Sequence, residues 1–116
     1  MDVRQGVENA LADLASQIGA DRVHKLVAIY ERSARGQLES LSRALEERDA
    51  SALGQTAHSL KSSSASLGAR QVSSLCLELE TLGYTGQLDG AEALLAHLQA
   101  SLAELLALLP YCLETL

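Results

Sequence analysis

Apolar residues recur three and four positions apart along almost the whole chain, and nowhere do they alternate with the two-residue period of a strand. The first run, Val3 to Ile18, predicts a short helix ending near Gly19. A second stripe holds Val23, Leu26, Val27, Tyr30, Ala34, Leu38, Leu41 and Leu45. It predicts a long helix from an Asp21 N-cap to about Arg48, which Gly36 weakens without breaking. A third helix, capped by Asp49 or Ser51, runs to Leu67 and stops at Gly68. A fourth, from about Arg70 to Leu82, offers Val72, Leu75, Leu79 and Leu82 to the core, and Gly83-Tyr84-Thr85-Gly86 reads as a loop. The fifth carries Ala91, Leu94, Leu95, Leu98, Leu102, Leu105, Leu106 and Leu109. Pro110 should kink or end it, although the chain beyond can resume as a turn.

Short connections make successive helices antiparallel neighbours. The expected fold is therefore all-α: an up-and-down antiparallel four-helix bundle of helices two to five, with an additional N-terminal helix over one end. The 116 residues, 47% of them hydrophobic, suit one core and predict a single domain over residues 1–116. Aromatics are only 3%, so that core must be built from Leu, Ala, Val and Ile. The net charge of −6 argues against nucleic acid and against an anionic membrane surface as partners. Cys76 and Cys112 lie in Leu-rich helical runs, where reduced cysteine behaves as a small core residue. The N-terminus lacks an apolar signal-peptide core, and His97, Gln99, Glu104 and Pro110 interrupt the Leu-rich C-terminus too soon for a membrane span. A cytoplasmic location is expected.

The third helix has a face that packing does not explain. On a wheel advancing about 100° per residue, Leu53, Ala57, Leu60, Ser64 and Leu67 cluster within roughly 40° of one another's mean, the core stripe. His58 falls about 140° away. Lys61 lies on its flank, Ser62 and Ala65 beyond it, and Ser51 before it along the helix. Solvated helix faces normally carry Glu, Lys, Gln and Arg, as Glu46-Glu47-Arg48 does. The run Ser62-Ser63-Ser64-Ala65-Ser66 has weaker helix propensity, a cost that makes sense where another protein must come close. An exposed histidine alone is ordinarily a solvated polar residue. Histidine, lysine and a shaved surface together favour a site.

The segment Ala57-His58-Ser59-Leu60-Lys61-Ser62-Ser63-Ser64-Ala65-Ser66-Leu67-Gly68-Ala69 resembles the signature of histidine phosphotransfer domains, Ala-His-x-Leu-Lys-Gly followed by small residues and Gly-Ala. Leu75-Cys76 followed by Leu79-Glu80 is similar to the family's next helix. The resemblance implies that His58 accepts the phosphoryl group, with Lys61 steadying its oxygens and Ser51, Ser62 and Ala65 forming the docking face. It implies receiver domains, of a hybrid histidine kinase or a response regulator, as partners, and leaves the aspartate and Mg2+ to the receiver. Ser62 departs from the family's usual glycine. It is small enough to preserve access, and its hydroxyl can fold back onto the carbonyl of His58.

Imidazole suits a reversible phosphoryl carrier: with an ordinary pKa of about 6.5 it is mostly neutral and nucleophilic near pH 7. Phosphoryl transfer passes through a loose transition state, so positioning and charge matter most. The chain has no Walker lysine motif or glycine-rich phosphate loop, and the expectation is a carrier that needs no cofactor, holds no metal and lacks an ATP site. A kinase dimerisation helix usually has glutamate after its histidine, where this chain has Ser59. His24 and His97 lack partners at metal-ligand spacing, and Glu78 and Glu80 read as a solvated helix face. Two rivals stand beside this reading: a structural helical-bundle interaction module without phosphotransfer, and a metal- or cofactor-binding bundle with inward ligands.

Overall fold

The computed structural model describes residues 2–116, in which every regular element is helical. The helices are α1 (Val3–Ile18), α2 (Ala20–Glu46), α3 (Ala50–Ser66), α4 (Arg70–Thr85) and α5 (Ala91–Leu113). A helix of 27 residues is about 40 Å long, so α2 spans nearly the full 42 Å of the molecule. The neighbours of α2 are α3 and α5, and those of α4 are also α3 and α5, while α1 lies against α2, α4 and α5.

Glycines and two aspartates set the ends. Asp2 accepts from the Gln5 amide at the start of α1, and Asp49 accepts from the Ala52 amide at the start of α3, so Asp49 rather than Ser51 is the cap. Gly19 alone separates α1 from α2, and its φ of 91° belongs to backbone that only glycine adopts easily. Gly19 therefore replaces the predicted Asp21 cap, and Asp21 sits in the first turn of α2. Gly68, φ 75°, ends α3 and approaches α1 so closely that a Cβ there would lie 2.6 Å from the Gly6 carbonyl oxygen. Without that approach α1 could not settle over the α3–α4 turn.

Two ends differ from the sequence pattern. The predicted loop over Gly83 to Gly86 is helical through Thr85, and Gly86, φ 74°, ends it. Gly83 is there because α3 and α4 touch: a Cβ on it would come within 2.5 Å of the Gly54 nitrogen and 2.8 Å of the Ala50 oxygen. Likewise α5 passes through Pro110 to Leu113, held in place by Leu109 before the proline and Cys112 after it, both fully buried.

The core is aliphatic. Leu11, Leu41, Leu53, Leu60, Leu79, Leu98, Leu102, Leu105 and Leu109 are all fully buried. From the predicted α2 stripe, Leu26 is instead 42% exposed, and Leu38 is half-buried. By length and composition α5 could cross a membrane, interruptions notwithstanding. In the fold its Leu95, Leu98, Leu102, Leu105 and Leu109 pack into this core. Cys76 and Cys112 are buried thiols, and burial pushes the Cys76 pKa up to about 12.

Candidate functional site

The wheel of α3 holds in three dimensions. Leu53, Ala57, Leu60, Ser64 and Leu67 are buried, while His58 is exposed and leans toward α4. There its Nδ1 lies 2.5 Å from Oε2 of Glu80. The other Glu80 oxygen, Oε1, accepts from the Lys61 ammonium at 2.6 Å. The Glu80 side chain is only 7% exposed, against 26% for Lys61 and 55% for His58.

Glu80 is the functional residue the sequence pattern misses, and its reading as a solvated residue is wrong. It lies on the α4 flank that also bears Cys76 and Gly83, and that flank faces α3. The hydrogen bond from Lys61 holds its carboxyl below the ordinary value of 4.5; burial opposes this, and the bond with His58 reinforces it. An ionised carboxylate can only accept, so Nδ1 carries the proton and the bond assigns the tautomer. In the neutral ring the lone pair then lies on Nε2. The neighbouring small residues at Gly54 and Gly83 are the available signal: they mark a close helix contact, where a carboxylate that is buried must be paired.

The serines explain how the surface is kept low. Ser62 Oγ donates to the His58 carbonyl at 3.1 Å, Ser66 Oγ to that of Ser62 at 3.1 Å, and Ser63 Oγ to those of Leu60 and Ser59. Each hydroxyl folds back on its own helix instead of projecting. Ser64 faces inward and shares a 2.7 Å hydrogen bond with the buried Tyr30 hydroxyl, which ties α3 to α2. Burial pushes the Tyr30 phenol up to about 12, so it remains protonated in that bond.

The structure thus gathers His58 and Lys61 around Glu80, with Ser62 exposed one turn past His58. Ala65 is exposed one turn past Lys61, beside a groove that Gly6, Asp13 and Arg70 also line. Ser51 is exposed in the first turn of α3, about 10 Å along the helix from His58, outside the cluster. On the α2 side, Ser63 and Ser66 adjoin an apolar shelf of Leu14, Leu26 and Ile29, the last 59% exposed, which the sequence pattern does not mark. His24 and His97 are exposed. Among the described residues no three His, Cys, Asp or Glu side chains converge as a metal site.

Residues 25–108 match the family described as Hpt domain. Among solved structures, the chain is similar to histidine-containing phosphotransfer protein B (HptB) from Pseudomonas aeruginosa PAO1, with a TM-score of 0.86 and 30% identity over 93% of each chain. A comparison with curated proteins found no match.

Proposed function

The chain belongs to the Hpt domain family, whose members carry phosphoryl groups on histidine in phosphorelays, and we propose that His58 is the residue that carries it here. The observation that supports this assignment best is the His58–Glu80 bond on an exposed ring, which in the neutral imidazole puts the lone pair on Nε2. In the proposed step the Nε2 lone pair attacks the phosphorus of a receiver aspartyl phosphate. The P–O bond to the aspartate breaks, and the aspartate leaves as a carboxylate. The ring keeps its Nδ1 proton and becomes cationic, and Glu80, beside it, stabilises that charge. Lys61 is within reach to steady the phosphoryl oxygens as a point charge. Transfer onward is the same step reversed, toward the aspartate of a second receiver.

On this reading α2 to α5 form an up-and-down four-helix bundle, α1 is an additional N-terminal helix, and residues 1–116 act as one domain. The partners are receiver domains of a hybrid histidine kinase or a response regulator, which supply the aspartate and Mg2+, and the exchange takes place in the cytoplasm. The carrier needs no ATP site, cofactor or metal of its own. Ser62 and Ala65, with Ser51 at the margin, form the low face the receiver covers, and Leu26 and Ile29 offer it an apolar rim.

The test is incubation with a phosphorylated receiver domain and detection of acid-labile, base-stable phosphate on the chain. His58→Gln should abolish labelling and leave Tm within a few degrees, as exposed substitutions usually do. Label that persists in this variant, or that maps to His24 or His97, would overturn the assignment. No label on the wild-type chain would favour an interaction module without phosphotransfer.

A further inference from the structure

Tyr84 is 65% exposed, the largest exposure of any big apolar or aromatic side chain among the described residues. Because α4 continues through Thr85, this ring stands on a helix and not on a loop. Its Cδ1 and Cε1 atoms cover Gly54: a Cβ on that glycine would lie 3.2 Å from both. One edge of the ring is therefore seated on α3 at Gly54 while most of the rest is open to solvent.

Its position follows from helix spacing. Gly54 precedes His58 by four residues on α3, and Tyr84 follows Glu80 by four residues on α4. Residues four apart are surface neighbours on a helix. Tyr84 thus stands beside the His58–Glu80 pair, toward the start of α3, whereas Lys61 and Ala65 lie toward its end. The α3 residue beneath it is a glycine, so the ring has no side chain of α3 to cover it at that point. A purely solvated position would suit Glu or Lys equally well. A ring already fixed by packing has little freedom to lose when a partner covers it, and exposed tyrosine is enriched among residues that dominate binding energy.

We infer that Tyr84, seated on Gly54, is a docking anchor that fixes the receiver on the α4 side of His58, an inference that rests on the phosphotransfer reading above. The ring meets an apolar side chain at the rim of the receiver's aspartate pocket, and the hydroxyl stays in water. Tyr84 then governs association and leaves the chemical step to His58, Lys61 and Glu80.

The experiment is single-turnover transfer from a receiver domain, phosphorylated by a small-molecule phosphoryl donor with Mg2+, across a range of receiver concentrations. Tyr84→Ala should raise the half-saturating concentration roughly tenfold and leave the limiting rate within about twofold. Tyr84→Phe should match the wild type in both. Gly54→Ala, whose new methyl group displaces the ring, should raise the half-saturating concentration by less than Tyr84→Ala does. Tyr111→Ala, which removes an exposed tyrosine on α5, is the control expected to change neither. Unchanged half-saturation in Tyr84→Ala, or a fall confined to the limiting rate, overturns the inference. Equilibrium binding of the unphosphorylated receiver to His58→Gln, with and without Tyr84→Ala, measures docking without chemistry. A roughly tenfold weakening supports the anchor even if the wild-type chain takes no label, and equal binding overturns it even if transfer succeeds.

Discussion

Helices α3 and α5 both feed the core, yet they contribute opposite things to the molecule. The α5 contribution is a ladder of large aliphatic side chains, Leu95, Leu98, Leu102, Leu105 and Leu109, and the chemistry lies elsewhere. The inward stripe of α3 is thinner, with Ala57, Gly54 and Ser64 among its buried positions. Its outward side is a row of small residues around one imidazole. Where α3 meets α4 the backbones themselves touch, at Gly54 and Gly83, and this closeness lets a carboxylate from α4 reach a histidine on α3. Stability and site are thus carried by different parts of the bundle, and substitutions should separate them.

The largest effect on folding belongs to α5. Leu102→Ala should cost about 2–5 kcal/mol in denaturant unfolding, because Leu102 is fully buried and leaves a cavity. Transfer per folded molecule should be unchanged. A comparable loss of transfer would mean that the two regions are coupled after all.

Glu80 should show the converse. Glu80→Ala removes both the tautomer lock and the countercharge, and transfer should slow roughly 30-fold, about 2 kcal/mol in the transition state. The pH dependence sharpens the point. A carboxyl whose folded pKa is depressed stabilises the fold fully above its ordinary value of 4.5, and this contribution is lost as pH falls through the lower folded value. Thermal melts of wild type and Glu80→Gln should therefore differ most near neutrality and converge in acid. Parallel curves throughout would sink the ion-pair account.

Next come the small residues. Ser62→Leu or Ala65→Arg should slow transfer at least about tenfold, near 1.4 kcal/mol, by holding the receiver off His58. Neither should lower Tm much, since both positions are exposed. Unchanged rates would move the docking face elsewhere. The smallest effect is expected of Lys61→Ala, which should weaken transfer or shorten the life of the phosphorylated form by less than about tenfold. Blocked approach of the receiver in that variant would contradict its assignment as a point charge.

Much of this was legible in the residues. The period of the apolar stripes located all five helices, and the α3 wheel separated His58 from Leu53, Leu60 and Ser64 without reference to any other helix. What a single wheel cannot supply is the distance to the neighbouring helix. Glu80 lies at the border of its own stripe, and whether it meets water or His58 depends on how near α3 comes. Gly83 controls that distance, but in the string Gly83-Tyr84-Thr85-Gly86 it has the composition of a loop. Leu26 fails for a related reason: it lies at the border of the α2 stripe, whose centre at Val23, Val27 and Tyr30 is buried while Leu26 is left facing out.

Both oxygens of Glu80 are already committed, one to the imidazole and the other to the ammonium. One carboxylate thus couples the imidazole on which the proposed chemistry rests to the ammonium beside it, and the two side chains behave as a single hinged unit: whatever shifts one of these bonds is felt by the other.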